Sequence, residues 1–145
     1  VYYSSNGEEL KRFSTRDGMG AERIRNLANV DIGIISGEDS VPLRKRAEKL
    51  EIQELHMGIK DKVLVVEEIM KRRDSSVWEI AYIGDDVNDL EVLSMVGLSA
   101  CPADALPQVK EQVDYICQLK GGEGAFREFC EKIIFLKGKM EVTNE

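Results

Sequence analysis

The sequence predicts an α/β fold: a doubly wound, mainly parallel, Rossmann-like sheet introduced by an N-terminal β-hairpin. Three observations predict it. Short runs rich in Ile, Val and Leu stop abruptly at Gly, Ser or Asp; amphipathic stretches of helical spacing separate them; and the intervals are as short as β-α-β crossovers require. At 145 residues the chain is expected to form one domain, with a hairpin at 1–14, a core at 17–118, and a glycine-rich tail with a closing helix at 119–137.

Tyr2-Tyr3, Asn6-Gly7 and residues 10–13 read as two strands about a tight turn, because Asn-Gly tolerates the positive φ that a short hairpin turn needs. Asp17 is placed to cap a helix running to about Leu27. The run 32–35 is a buried strand ending at Ser36-Gly37-Glu38, and Pro42, whose φ suits a first turn, starts a helix reaching Leu50. Residues 52–57 form a weaker strand, and Asp61 caps a helix carrying Val63, Val66, Ile69 and Met70 as far as residues 72–75. The run 80–83 is the clearest strand and ends at Gly84-Asp85-Asp86. A helix with Leu90, Val92, Leu93 and Met95 follows, then a strand at 98–101, a helix after Ala103-Asp104-Ala105 and a strand at 115–117. Gly121-Gly122-Glu123-Gly124 is expected to be flexible. The last helix, from Ala125 to about Leu136, is amphipathic through Phe126, Phe129, Ile133 and Ile134, with a fraying polar end.

With 27 acidic against 20 basic residues, the net charge is −7. Such a surface repels nucleic-acid backbones, and the cations are scattered without an aromatic stripe, so no nucleic-acid partner is expected. No apolar run approaches the roughly 18–20 residues of a membrane span, and no leader opens the chain, so a soluble cytoplasmic protein without a membrane partner is expected. Cys101, Cys117 and Cys130 are an odd, widely spaced set without C-x-x-C, which fits reduced core thiols better than a disulfide framework or structural zinc.

In an open parallel sheet, ligands lie beyond the carboxyl ends of the strands. Three such places stand out: Ser36, Gly37 and Glu38; Asp61-Lys62 at a helix start; and Asp85, Asp86, Asn88 and Asp89. Carboxylates crowded into five residues repel one another unless a cation offsets them, and Mg²⁺ takes one or two carboxylates before completing its shell with water and phosphate oxygens. Capping of the next helix accounts for Asn88 or Asp89, but not for Asp85-Asp86 at the strand mouth. Ser36 alone is a turn hydroxyl and Lys62 alone a solvated lysine. Together with the acidic cluster they form a phosphate site in which a hydroxyl and backbone N–H groups hold oxygens and an ammonium supplies charge.

Ile34-Ile35-Ser36-Gly37-Glu38, Lys60-Asp61-Lys62 and the stretch from Tyr82 through Asp89 resemble motifs two, three and four of the haloacid dehalogenase-like phosphatases. Residues 3–18, 44–50, 96–105 and 121–128 narrow the resemblance to the capless branch that hydrolyses 3-deoxy-D-manno-octulosonate 8-phosphate or sialic-acid-type nonulosonate 9-phosphates. It extends to the phosphatase-like module of some CMP-sialic acid synthetases. The resemblance implies an Mg²⁺-dependent phosphomonoesterase working through an aspartyl-phosphate. Ser36 would bind the transferring phosphoryl group, Lys62 would neutralise it, Asp85 would hold the metal, and Asp86 and Asp89 would orient Lys62 or metal-bound water. It also implies a homotetramer whose hairpin and tail close neighbouring sites. Glu38, Arg46 and Lys49 become candidates for contacting the sugar acid, and Arg127 a candidate reaching in from a neighbour; a solvated helix face accounts for Arg46 and Lys49 equally well.

The family's first motif, an Asp-x-Asp at the end of the first core strand, does not occur in these residues. Asp17 and Asp31 belong to no such pair. The expectation is that roughly twenty residues, one strand and its connection, are missing ahead of Val1, and that the chain as written does not turn over substrate. The rival reading is a non-catalytic oligomerisation module of a synthetase. A signalling receiver domain uses similar groups, but with the acidic pair early and the lysine late, the reverse of the order Ser36, Lys62, Asp85-Asp86.

Overall fold

The computed structural model describes the backbone of residues 1–144 and the side chains of residues 1–139. Among the described residues seven strands and six helices follow in the order β1 (Tyr2–Ser4), β2 (Gly7–Leu10), α1 (Thr15–Ala28), β3 (Gly33–Ile35), α2 (Val41–Lys49), β4 (Glu54–His56), α3 (Lys62–Arg73), β5 (Ala81–Ile83), α4 (Leu90–Met95), β6 (Leu98–Cys101), α5 (Pro107–Lys110), β7 (Tyr115–Ile116) and α6 (Ala125–Asn144). Single 3₁₀ turns precede β5 and α4.

The parallel α/β prediction holds, with the strands in two groups. β3 pairs with β4 in parallel, Ile34 opposite Leu55, and β5, β6 and β7 form a second parallel group, Tyr82 opposite Ser99 and Ala100 opposite Tyr115. Among the described residues, β3 and β5 therefore each keep one edge without a strand partner. Apolar strands at the middle of a parallel sheet are normally covered on both faces, yet Gly33 and Ala81 are exposed here and their neighbours half-buried.

Helices cover both faces. Successive residues of β6 point to opposite sides, so Cys101 packs with Leu93, Ala105 and Val109 while Ala100 packs with Cys117, Ala125 and Phe129. Ile24, Ala28 and Cys130 join α1 to α6, and Val66, Val92 and Val96 join α3 to α4. The α1–α6 contact depends on Gly20, where a Cβ would lie 3.0 Å from the Arg127 Cα. Arg23 and Arg127 close the same interface by both donating to Glu131, at 2.5 and 2.9 Å. The three cysteines are free and buried, as expected of core thiols, one in each of three different clusters.

Several local expectations shift. The hairpin turn falls at Ser5-Asn6, and its second strand is Gly7–Leu10, not 10–13, because Gly7 at φ 101° re-enters the ladder opposite Ser4. Ser14, not Asp17, caps α1 by accepting from Arg16 N–H; Asp17 sits in the first turn and accepts from Arg127 N–H at 2.9 Å. Ser40 caps α2 and also donates to Glu8, tying the hairpin to the body from a position 1% exposed. Asp61 caps α3 as the sequence indicates, accepting from Leu64 N–H at 3.1 Å. The glycine-rich tail is held, not loose. Gly121 N–H donates to Asp104 at 2.9 Å, and the Glu128 carboxylate accepts from Gln118 N–H, Leu119 N–H and the Tyr115 hydroxyl. α6 continues to Asn144, past the expected frayed end.

Candidate active site

The carboxyl end of β3 carries Ser36 and Glu38, that of β5 leads into the acidic loop, and Lys62 at the start of α3 reaches that loop at Asp89. Ser36 prolongs the β3–β4 ladder by donating its N–H to the His56 carbonyl at 2.9 Å, while its hydroxyl accepts from Glu38 N–H at 3.2 Å. The loop is pinned from below, since Ile59 N–H donates to the Ser36 carbonyl and Gly58 N–H to the Glu38 carbonyl. Glu38 is exposed on its rim. Because Asp61 is the cap, Lys62 is the first residue of α3, and its side chain, 10% exposed, runs to the acidic loop.

Asp89 organises the rest. Its side chain is 4% exposed, and its Oδ1 accepts from Lys62 Nζ at 2.8 Å and from the Tyr82 hydroxyl at 2.8 Å. Its Oδ2 accepts from the N–H groups of Asp85 and Asp86 at 3.0 and 3.3 Å, which folds the acidic loop back over it. Gly84 is required there. A Cβ on that residue would lie 2.6 Å from the Asp89 side chain. Burial alone pushes the Asp89 carboxyl up, but the hydrogen bonds from Lys62 and Tyr82, with the Lys62 charge, outweigh it and hold the group below the usual carboxylate range.

Asp85 behaves in the opposite way. Asp85 is exposed overall, yet its carboxyl is pushed above its ordinary range, first by the loss of water around it, then by the charges of Asp89 and Asp86, with Asp104 adding to them. Its backbone carbonyl accepts from Leu106 N–H at 3.1 Å, so the loop carrying Asp104 leans on it. A carboxylate set against three others is what a cation would relieve. Among the described residues no three His, Cys, Asp or Glu side chains gather into a cage for a metal; Mg²⁺ needs one or two carboxylates and takes its remaining ligands from water and phosphate, a donor set that Asp85 and its neighbours fit.

Asp86 belongs to the same acidic loop, and its carboxylate accepts from Val87 N–H at 2.6 Å, capping the 3₁₀ turn in a reciprocal box with Asp89. Other candidates are not brought here. Lys49 lies eight residues beyond the start of α2, roughly 12 Å along the helix axis, where it lines a charged cleft with Glu22, Arg25 and Glu51 between α1 and α2. Arg46 donates to the Ser14 carbonyl at 3.0 Å and lies over the Phe13 ring, joining α2 to the end of the hairpin. Arg127 is engaged within its own chain by Glu131 and the Arg16 carbonyl. Helical periodicity shows which residues share a face but not how far along a helix the strand ends lie. Tyr82, Asp104 and Glu128 were not singled out from the sequence. For Tyr82 a signal existed: it alternates with Gly84, so both face Asp89.

A family model described as haloacid dehalogenase-like hydrolase matches residues 46–128. The 3-deoxy-D-manno-octulosonate 8-phosphate phosphatase KdsC of Yersinia pestis is 38% identical over 141 residues, covering 97% of this chain and 75% of that protein. A Moraxella catarrhalis 3-deoxy-D-manno-octulosonate 8-phosphate phosphatase, solved in complex with magnesium, phosphate and KDO, superposes with a TM-score of 0.90 at 30% identity, covering 98% of this chain and 81% of that one. The cobalt-bound phosphatase of Haemophilus influenzae superposes with a TM-score of 0.90 at 36% identity, covering 99% and 84%.

Proposed function

The chain belongs to the haloacid dehalogenase-like hydrolases, in their 3-deoxy-D-manno-octulosonate 8-phosphate phosphatase branch, and from that premise we propose that it forms most of the active site of a magnesium-dependent phosphomonoesterase acting on that sugar-acid phosphate. One observation carries the reading: Lys62, its side chain nearly buried, is fixed by Asp89 beside a strand mouth where carboxylates outnumber cations. No packing requirement of the fold calls for that arrangement, whereas a phosphoryl group flanked by Mg²⁺ does.

In this reading Asp85, with water and phosphate oxygens, holds Mg²⁺, which when bound supplies positive charge to the phosphoryl oxygens. Ser36 donates its hydroxyl to one oxygen, Lys62 donates its ammonium to another, and Glu38 faces the sugar from the rim. The nucleophile and general acid are an Asp-x-Asp contributed from outside residues 1–145. One carboxylate bonds to phosphorus as the P–O bond to the sugar breaks, and the sugar oxygen takes a proton from the second carboxyl. Water then attacks the aspartyl-phosphate, returning its proton to that second group and releasing phosphate. Exposed Tyr2, Tyr3 and Leu10 on the hairpin support assembly with further copies, a homotetramer in our reading, to be measured by sedimentation. Three unpaired thiols suit the reducing cytoplasm. Among the described residues no helix is long and apolar enough to cross a membrane.

The test is phosphate release with Mg²⁺ by the polypeptide extended upstream through an Asp-x-Asp. Hydrolysis of 3-deoxy-D-manno-octulosonate 8-phosphate, abolished by Asp85→Asn, is the expected result. Release from a nonulosonate 9-phosphate alone would replace the substrate, and an active Asp85→Asn variant would remove Asp85 from the metal site.

A further inference from the structure

We propose that Tyr82 is a positioning residue for this phosphatase: by donating its hydroxyl to the same Asp89 oxygen that Lys62 contacts, it sets where the Lys62 ammonium sits and how much of its charge faces the phosphoryl group. The proposal rests on the reading of the site as a phosphatase.

The argument begins with the mobility of lysine. A four-carbon stem has many rotamers, so an ammonium that must meet a transient charge needs a fixed partner. Asp89 is that partner, and its own orientation is fixed at both oxygens. The N–H groups of Asp85 and Asp86 hold Oδ2, while Lys62 and Tyr82 share Oδ1 at 2.8 Å each. An ionised carboxylate oxygen accepts about two hydrogen bonds, so Lys62 and Tyr82 together fill Oδ1.

The tyrosine can act as a strut because core packing holds its ring. It packs against the cluster of Leu93, Cys101, Ala105 and Val109 and against that of Val66, Val92 and Val96. The hydroxyl is thereby aimed by the hydrophobic core, and Gly84, on the same face of β5, leaves the room for the carboxylate to meet it. Burial first, then the Asp89 charge, pushes the Tyr82 phenol up, so it stays protonated and a donor at neutral pH.

The electrostatic consequence follows. An ammonium paired exclusively with a buried carboxylate is largely neutralised and of little use to an incoming phosphate. Here the phenol and two amides draw on the same carboxylate, which leaves more of the Lys62 field directed outward. Without the phenol, Oδ1 turns wholly to Lys62 and draws the ammonium back. The substrate, bound through Ser36, backbone groups and the metal, is affected little in its ground state; the transition state, with charge spread over the equatorial oxygens, loses most.

The experiment is Tyr82→Phe in the upstream-extended polypeptide with Mg²⁺. Expected are a roughly tenfold fall in kcat with KM within twofold of wild type, the signature of an interaction made in the transition state. A second readout needs no turnover: the ¹⁵N resonance of the Lys62 ammonium, held by its hydrogen bond to Asp89, shifts or broadens in Tyr82→Phe. A kcat within twofold of wild type, or an unmoved ammonium resonance, overturns the proposal. If wild type fails to hydrolyse the sugar-acid phosphate while the resonance still moves, the phosphatase reading falls and the positioning of Lys62 by Tyr82 is supported. Should Tyr82→Phe not fold, 3-fluorotyrosine at position 82 keeps the hydroxyl as a stronger donor; the resonance then moves if the hydroxyl sets Lys62, and a stationary resonance overturns the claim.

Discussion

Two buried carboxylates, one opening β4 and one in the turn that follows β5, sit in surroundings of opposite charge balance. Glu54 opens β4 with its side chain 9% exposed, and Asp89 follows β5 with its side chain 4% exposed. Both keep their protons off through cationic partners. Glu54 is held down to about 2, chiefly by the paired hydrogen bonds from Arg72 at 2.5 and 2.8 Å, against burial and with help from His56 and Arg73. Around Glu54 the cations are in excess, and Arg73 spends its remainder on Asp31 at 2.7 Å. At Asp89 the partner is the Lys62 ammonium, and Asp85, Asp86 and Asp104 crowd the same loop. The first cluster is finished; the second is left with negative charge. A buried ion pair is therefore weak grounds for a site, and the unbalanced remainder is the better one. Glu54 also has a structural use, since a charge directed inward on the outer strand β4 discourages pairing with another chain.

The contrast breaks if the two clusters respond alike to substitution. Lys62→Met should lower kcat about a thousandfold in the upstream-extended polypeptide, comparable to removing one preorganised donor from an oxyanion site, with the circular dichroism spectrum retained. Glu54→Gln should leave kcat within twofold and destabilise the fold by about 2 kcal/mol, because two guanidinium groups lose their charged acceptor; urea unfolding measures it. The Glu54 contribution has a direction in pH. A carboxyl held below its unfolded value stabilises the fold above about pH 5 and loses that effect as pH falls toward 2, so the wild-type melting temperature should drop more steeply than that of Glu54→Gln across this interval. The smallest effect belongs to Asp85. Its carboxyl is pushed up in the fold, so ionisation at neutral pH opposes folding. Asp85→Asn should melt about 2 °C higher than wild type without Mg²⁺ and lose the rise that added Mg²⁺ produces in wild type. A wild-type protein more stable than Asp85→Asn in chelator would contradict the charge imbalance.

Much of this was legible from residue order. Apolar runs such as residues 32–35 and 80–83 announce strands whatever their surroundings, and polar breaks after them place Ser36 and Asp85 at strand ends. The cap at Asp61 could be read because a single strong acceptor precedes the apolar pattern. At α1 two acceptors compete, Ser14 and Asp17, and packing of α6 against Asp17 decides between them. What could not be read is distance across the fold. Arg46, Lys49 and Arg127 have the charge of substrate ligands, yet their positions depend on how α1, α2 and α6 pack, which no local pattern encodes. Tyr82 was hidden for another reason: a tyrosine in a strand is ordinary, and its meaning lies at the end of the ring.

The distribution of cysteine offers a built-in stopwatch. Cys117 and Cys130 are pushed up to about 12, by burial first, and Cys101 is raised for the same reason, so alkylating reagents find almost no thiolate at neutral pH until a region opens. The three belong to separate clusters, one between α4 and α5, one beneath the start of α6 and one between α1 and α6. Timed pulses of iodoacetamide, resolved by peptide mass, would thus report which third of the molecule breathes first.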